Sequence, residues 1–482
     1  MTPELLPASL SGYRIHLVGI KGTGMTALAE ILAARGARLS GSDVPETFYT
    51  DRILQELKIP YFESFSPTHL GEGVQLVIYS PAYSPQENVE LKRAREAGLP
   101  LLTYPEALGS LSSRCDASAV SGTHGKTTTT AMAGAIFKSL GLPVTVLAGS
   151  EVAAFGNRCT CILGDRYLVA ETCEYRRHFL KFRPARIVIT NVEAEHLDYF
   201  QDLEDVLEAF VQFGLILPPG GALIYNRDDP GASQVARRLE QRRDDVALIP
   251  FGRSAPGEFH LLSVQTERGL TRFRLQGFQE ELGLRIPGEH SAYNATAAAA
   301  LCLQVLRQER GGVDAGDRER VTAALGEFRG SRRRSEVLGE ARGVLFMDDY
   351  GHHPTEILKT LEGLRRFYPE RRLVLDFMPH TYSRTRALLD RFATCFAPAD
   401  EVILNRIYAS AREKNTGEID GQALFKAVSG RHPRVRYLED QASALSYLER
   451  SLRPGDLLLT MGAGDNWKVG KSLFLKWSGL EA

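Results

Sequence analysis

Three times along the chain an apolar run gives way to a glycine-rich or polar turn and then to apolar residues at helical spacing. The first block is "YRIHLVGIKGTGMTALAEILAARG" and the second "ASAVSGTHGKTTTTAMAGAIFKSLG". The third is spread over "RRLVLDFMPHTYSRTRALLDRFA", "DEVILNRIY" and "DLLLTMGAGDNWKVG". Short strands alternating with helices predict mainly parallel sheets with helices on their faces, an α/β chain. Between the second and third blocks, "FHLLSVQTERGLTRFRLQGFQEELGLRIPG" alternates apolar and polar positions. That alternation predicts antiparallel strands added to the central portion. The polar stretches "GSLSSRCDAS" and "LGEFRGSRRRSEVLGEARG" predict linkers near residues 110 and 330. Three domains are expected, at 1–111, 112–330 and 331–482.

Composition narrows this picture. At 482 residues the chain exceeds what one hydrophobic core supports. It is 43% hydrophobic and 24% charged, the balance of a soluble globular protein. Lysine plus arginine number 58 against 59 acids, a net charge of -1. That balance argues against a nucleic-acid partner and against a polybasic membrane anchor. "MTPELLPASL" lacks a basic stretch followed by an apolar one, and "FGLILPPGGALIY" is too short and too broken to span a bilayer. The expected location is cytoplasmic, without a membrane partner. Cys159, Cys161 and Cys173 lie close in sequence, but no C-x-x-C spacing supports a metal cluster, so all six cysteines read as reduced thiols.

The chemistry concentrates in "SGTHGKTTT". Gly122 and Gly125 allow a tight turn, Lys126 can reach a phosphate, and the Thr127 hydroxyl can bind a divalent ion. The usual G-x-x-x-x-G-K-[ST] pattern would place glycine at position 120, where this chain has Val120. Two further strands aim at the same place, because ligands of open parallel sheets collect at the carboxyl ends of strands. "DRYLVAE" ends in Glu171, and "ARIVITNVEAEH" ends in a loop with Glu193, Glu195 and His196. Glu171 and His196 are therefore candidate metal ligands. The amino-terminal turn "GIKGTG" follows another strand, with Asp43 beyond it to meet a ribose or a neighbouring group. A chain with two nucleotide-binding turns fits better than a dehydrogenase, which would leave "GKTTT" unexplained.

In order along the chain, "GTHGKTTTTAM", "TNVEAEHLDYF", "GEHSAYNATAA", "DDYGHHPTE", "PHTYSRTR" and "MGAGD" resemble the motifs of the Mur ligases. With "HLVGIKGTGM" and "SGSD", the resemblance runs from about residue 13 to about residue 470. It implies an amino-terminal Rossmann-like domain for a UDP-sugar, a central P-loop ATPase-like domain and a carboxyl-terminal Rossmann-like domain. It also implies an activity: ATP phosphorylates the carboxylate of UDP-N-acetylmuramate, and L-alanine attacks the acyl phosphate, a step in peptidoglycan precursor synthesis. The alternative is a ligase attaching a preformed peptide to the same sugar during wall recycling, although that enzyme's first loop usually reads more like "GICGTFMGG". ATP with Mg²⁺, or Mn²⁺, is the implied cofactor set, and a monomer or weak homodimer the implied assembly.

Residue by residue, the resemblance places Gly122, Thr123, His124, Gly125, Lys126, Thr127 and Thr128 on ATP phosphates. It adds His290, Asn294, Arg333 and Arg334 to the nucleotide and assigns the metal to Thr127, Glu171 and His196. Gly22, Thr23, Gly24, Met25, Ser42, Asp43 and Ser80 would serve the UDP-sugar. Tyr350, His352, His380 and Arg384 would serve the amino acid, and Lys126, Glu171, His196, His352 and Arg384 carry the catalytic roles. Asp349 and His353 match the same "DDYGHHP" loop. Three positions depart from the family pattern: Cys173 stands where "EADESD" has an aspartate, Thr381 replaces an arginine in "PHRY", and Lys21 replaces a glycine. With Thr381 in that place, Arg384 and Arg386 are expected to take up the carboxylate.

Overall fold

The computed structural model describes residues 6–196, 199–409, 413, 417 and 419–480. The chain forms two compact units. The first comprises the residues up to Glu195 together with Asp202–Phe259 and Ala295–Ala324; the second comprises His196–Gln201, His260–Asn294 and the chain from Leu325 onward.

The first unit holds two sheets. The amino-terminal one has five parallel strands, ordered Tyr61–Phe62, Arg38–Ser42, Arg14–Val18, Leu76–Tyr79 and Leu101–Thr103. The central sheet has seven, ordered Ala247–Phe251, Ala222–Asn226, Arg186–Ile189, Asp116–Ser121, Tyr167–Glu171, Val144–Val152 and Arg158–Ile162. Only the last of these pairs is antiparallel. Asp116–Ser121 lies inside this sheet, so its residues are buried on both faces, as parallel strands under helices must be. Val120 is 0% exposed and pairs with Glu171 on one side and Val188 on the other.

The second unit holds a six-stranded sheet ordered Glu336–Ala341, Val344–Asp349, Asp456–Met461, Arg372–Phe377, Glu401–Leu404 and Val435–Tyr437. Its first pair is antiparallel and the rest are parallel. All of "DLLLTM" (Asp456–Met461) is buried. Withdrawing such leucines from water stabilises the fold by about 1.5–3 kcal/mol each. The alternating stretch after residue 260 does form antiparallel strands, Leu261–Glu267, Leu270–Leu275 and Leu282–Leu284. They do not extend the central sheet, however. They make a separate three-stranded sheet that groups with the second unit, where the Gly269 N–H donates to the Phe367 carbonyl at 2.9 Å.

Candidate functional site

The phosphate loop is built by the end of Asp116–Ser121 and the start of the helix Lys126–Leu140. Val120 occupies the strand itself, so the turn begins at Gly122, later than the usual pattern places it. Gly122 has φ 131, and a Cβ there would lie 2.1 Å from Thr190 Oγ1. Only glycine meets both conditions. Gly125, at φ 81, is the helix N-cap and brings no side-chain acceptor, so the first helical N–H groups point out of the turn uncapped by a side chain.

Asn191, just past the neighbouring strand, fixes the turn. Its Oδ1 accepts the His124 N–H at 2.8 Å, its carbonyl accepts the Thr123 N–H at 3.0 Å, and its Nδ2 donates to the His124 carbonyl at 3.1 Å. The Thr123 hydroxyl in turn accepts the Glu193 N–H at 2.9 Å. Lys126 folds over its own loop, donating to the carbonyls of Gly122 and Thr123 and pairing with Glu174 at 3.4 Å. Burial works against its charge, but the carboxylates of Glu174 and Glu171 outweigh that and raise its pKa. The lysine is a cation at every physiological pH.

Thr127 is buried beneath the loop. Glu171 closes the adjacent strand and accepts the Gly149 N–H at 2.8 Å. Glu171 also lines a cavity of about 190 Å³ together with Thr23, Gly24, Tyr104, Gly149 and Cys173. The amino-terminal glycine turn and the phosphate-loop strand's neighbour thus open on one space within the first unit. The Cys173 thiol is exposed at this cavity, and its protein surroundings, chiefly through desolvation, push its pKa up to about 12. It is a neutral thiol, not a thiolate.

In the amino-terminal turn, Gly19 has φ 84 and a Cβ there would meet the Tyr83 ring at 2.6 Å. Gly22 precedes the helix Thr23–Ala34, and the Thr23 hydroxyl accepts from Tyr49 at 2.8 Å. Asp43 meets a neighbouring group, not an open space. It accepts the Lys21 N–H at 2.7 Å and the Tyr83 hydroxyl at 2.9 Å. Met25 and Ser42 are buried too, and Ser42 donates to Glu90. Ser80 is partly exposed; its N–H donates to the Val18 carbonyl at 2.9 Å. Lys21 has no exposed side chain and pairs with Glu63 at 2.7 Å and Asp51 at 3.5 Å.

In the second unit, loops at the carboxyl ends of the parallel strands gather the remaining candidates. The ring of Tyr350 lies 5.4 Å from His352, and His352 lies 5.7 Å from His380, both edge-on. Arg384 Nη1 reaches His380 Nδ1 and the His380 carbonyl, each at 3.1 Å. His352 Nδ1 is 3.0 Å from the Tyr350 carbonyl. A carbonyl only accepts, so Nδ1 carries the proton and Nε2 is the basic nitrogen. Tyr408, which the sequence did not single out, stacks on His380 at 6.0 Å and accepts the Thr381 N–H at 3.0 Å. Thr381 sits at φ 69, a strained backbone for a β-branched residue, held at the loop that carries Arg384.

The two arginines expected at the nucleotide differ. Arg333 is bound to Asp348 at 2.8 Å and to the carbonyls of Gly462 at 2.6 Å and Gly464 at 3.3 Å, so it braces the "MGAGD" turn. Arg334 shares the Tyr350 ring with Arg333, each 5.2 Å from its centre, but pairs with Glu356 at 3.7 Å. Asp349, pushed up to about 6 by burial against the pull of Arg334, accepts the N–H groups of Ser335 and Gly351. His353 caps the helix Pro354–Phe367. His290 opens the helix Glu289–Arg310; burial pushes its pKa down to about 4, which keeps the imidazole neutral. Asn294 follows one turn later and is buried. His196 has φ 56, and its carbonyl accepts the N–H groups of Tyr199 and Phe200.

A strand-anchored phosphate loop with an adjacent strand-end carboxylate defines an α/β protein whose first unit is built to hold a polyphosphate. Family models for "Mur ligase family, catalytic domain", "Mur ligase middle domain" and "Mur ligase, glutamate ligase domain" match residues 14–115, 120–302 and 333–464. The chain belongs to the Mur ligase family and has its three-domain architecture. The UDP-N-acetylmuramate–L-alanine ligase of Treponema pallidum is 50% identical over 97% of this chain and 98% of its own length. The crystal structure of the UDP-N-acetylmuramate-alanine ligase of Thermotoga maritima matches with a TM-score of 0.79 at 26% identity, covering 97% of this chain and 99% of that one. A murein peptide ligase from Psychrobacter arcticus shares the fold, with a TM-score of 0.68 at 21% identity over 98% of this chain and 100% of that one.

Proposed function

We propose that the protein is an ATP-dependent ligase that joins L-alanine to the carboxylate of UDP-N-acetylmuramate in peptidoglycan precursor synthesis. The observation that carries this reading is the near full-length similarity, at 50% identity, to an alanine-adding ligase. The peptide-adding alternative shares the fold at lower identity. In this reading residues 1–111 hold the UDP-sugar, 112–330 hold ATP and 331–482 hold the amino acid.

A carboxylate is a poor electrophile, so the first step is attack of its oxygen on the γ-phosphorus of ATP, with ADP leaving. The amine of alanine then attacks the acyl carbon, phosphate departs, and the amine loses a proton. Lys126 and the first N–H groups of its helix bind the γ-phosphate and neutralise charge that builds there. Thr127 and Glu171 offer hard oxygen donors that fit Mg²⁺, and His196 adds a nitrogen that Mn²⁺ also accepts. A divalent ion held there would offset the repulsion between two anions. Arg384 grips the carboxylate of the incoming amino acid with its fork of N–H groups. His352, oriented through Nδ1, takes the amine proton at Nε2.

Among the described residues no helix is long and apolar enough to cross a membrane. A cytoplasmic location, a role in cell division and a monomer or weak homodimer belong to the same reading. The test is to incubate the protein with ATP, Mg²⁺ and UDP-N-acetylmuramate, supplying alanine or a preformed peptide, and to weigh the products. Preferential consumption of the peptide would replace the first reading with the second.

A further inference from the structure

Asp376 lies near the end of the strand Arg372–Phe377 and is 0% exposed. In the parallel register it stands between Ile403 and Thr460. Among the described residues no cation pairs with it. Asn405 Nδ2 donates to Oδ1 at 3.0 Å, and Asn466 Nδ2 donates to the Asp376 carbonyl at 2.9 Å and more weakly to Oδ2 at 3.4 Å. The same two amides also serve the carbonyls of Leu438 at 3.2 Å and Met461 at 3.0 Å. The side-chain oxygens of Asn405 and Asn466 are buried without a partner.

The cluster therefore holds more acceptors than N–H groups. Flipping either amide would set its oxygen against a carboxylate or a carbonyl and make the imbalance worse. A proton on Asp376 turns one of those acceptors into a donor and removes a charge from a dry site.

The position matters because three loops are rooted here. Asp376 precedes the turn that carries His380 and Arg384. Asn405 directly follows the strand Glu401–Leu404, its N–H donating to the Phe377 carbonyl at 3.0 Å, and leads to Tyr408. Asn466 closes the turn whose Gly462 and Gly464 carbonyls hold Arg333. We propose that Asp376 is a proton-dependent positioning residue for the amino-acid side of the site, tying these loop roots together while it carries a proton and loosening them when it loses it. The proposal rests on the assignment of His380 and Arg384 to the amino acid.

Burial raises this carboxyl to about 7, against the two amides, which lower it. Other acids on the same face are already matched. Asp348 is bound by Arg333 at 2.8 Å and Thr460 at 2.7 Å. Farther along, Arg372 pairs with Glu401 at 3.1 Å and Asp456 at 2.7 Å. Arg436 lies 3.5 Å from Glu401, which also accepts from Tyr447. The helices over that face, Gln441–Ser451 and Trp467–Ser478, cover it with Ala444, Leu448, Val469 and Leu473, while Lys468 and Lys471 are exposed.

Because the folded-state carboxyl titrates above its ordinary value, its neutral form favours folding at low pH. That contribution is lost as pH rises from about 4 to about 7. Asp376→Asn is isosteric and cannot ionise. The full-length variant should come nearest to wild type in melting temperature at about pH 4 and exceed it increasingly up to pH 8. Infrared spectra of wild type minus variant, a subtraction that cancels the carboxyl of Asp349, should show a protonated carboxyl band at pH 6 that is lost at pH 9. The wild-type KM for alanine should climb relative to the variant's through the neutral range, by up to about tenfold per pH unit, with the KM for ATP unmoved. A variant less stable than wild type at pH 8, or a wild type without the titrating band, overturns the proposal. A titrating band with identical alanine profiles overturns the positioning role. Failure of both proteins to ligate alanine would defeat the functional reading instead, and the melting and infrared results would still decide whether Asp376 carries the proton.

Discussion

The first unit contains the same device twice. "GIKGTG" and "GTHGKT" are both strand–turn–helix junctions with a lysine in the turn, yet the two lysines have opposite fates. Lys21 is withdrawn from solvent and fixed by Glu63 and Asp51, while Asp43 latches its backbone N–H. Lys126 is the first residue of its helix and lies on the carbonyls of its own turn, where a polyphosphate can displace them. The position of the lysine relative to the helix start decides this. Ahead of the N-cap, the side chain runs into the neighbouring strand-end loops; just after it, the side chain returns over the turn with the helical N–H groups. One turn has turned its lysine into structure; in the proposed function the other keeps it for ATP.

The sharpest way to break this comparison is to remove each lysine. Lys126→Ala should cut turnover per folded molecule roughly a hundred- to a thousandfold, the loss typical of one preorganised charge at a transition state, and should also cost stability because it leaves the buried Glu174 without this cation. Glu171→Ala and His196→Ala should also lose turnover by orders of magnitude, and each should weaken Mn²⁺ binding followed by electron paramagnetic resonance. Lys21→Met should lose stability alone. Leaving Asp51 and Glu63 facing each other should cost about 2 kcal/mol of stability in denaturant unfolding, discounted because Glu63 is 55% exposed, while turnover per folded molecule barely moves. If Lys21→Met lost turnover per folded molecule as Lys126→Ala does, the two turns would not be functionally distinct.

Smaller effects sharpen the account in the second unit. Arg384→Ala should raise the KM for alanine about tenfold to a hundredfold and leave the KM for ATP close to wild type. Equal losses for both substrates would show that the arginine grips the nucleotide. Cys173→Ser should change turnover less than about twofold, because the thiol is neutral and supplies no charge that serine lacks. A large loss there would give this departure from the family pattern a catalytic part.

The phosphate loop was legible in the sequence because strand, turn and helix are contiguous, and Gly122 and Gly125 announce the backbone geometry. Its brace was not. Asn191 acts on His124 across a separation of 67 residues, and an asparagine after an apolar strand carries no mark of such a contact. The missing glycine at position 120 looked like a defect, but Val120 is a central strand residue and the turn starts beyond it. The alternating stretch after residue 260 was readable as antiparallel strands, yet its grouping depends on contacts such as Gly269 with Phe367, which no local pattern encodes. The two adjacent arginines looked alike, and both lie over Tyr350; only the fold shows Arg333 closed on the Gly462 turn while Arg334 pairs with Glu356. Tyr408 was missed because it reaches His380 from another strand end.

The most direct test of the central claim is product mass measured alongside nucleotide turnover. With ATP, Mg²⁺, UDP-N-acetylmuramate and alanine, the account predicts a product heavier than the sugar nucleotide by one alanine less one water. One ADP and one phosphate should appear per product, with little ATP consumed when either acceptor is omitted. Rapid ATP hydrolysis by the protein alone, or ATP consumption without that amide, would contradict it.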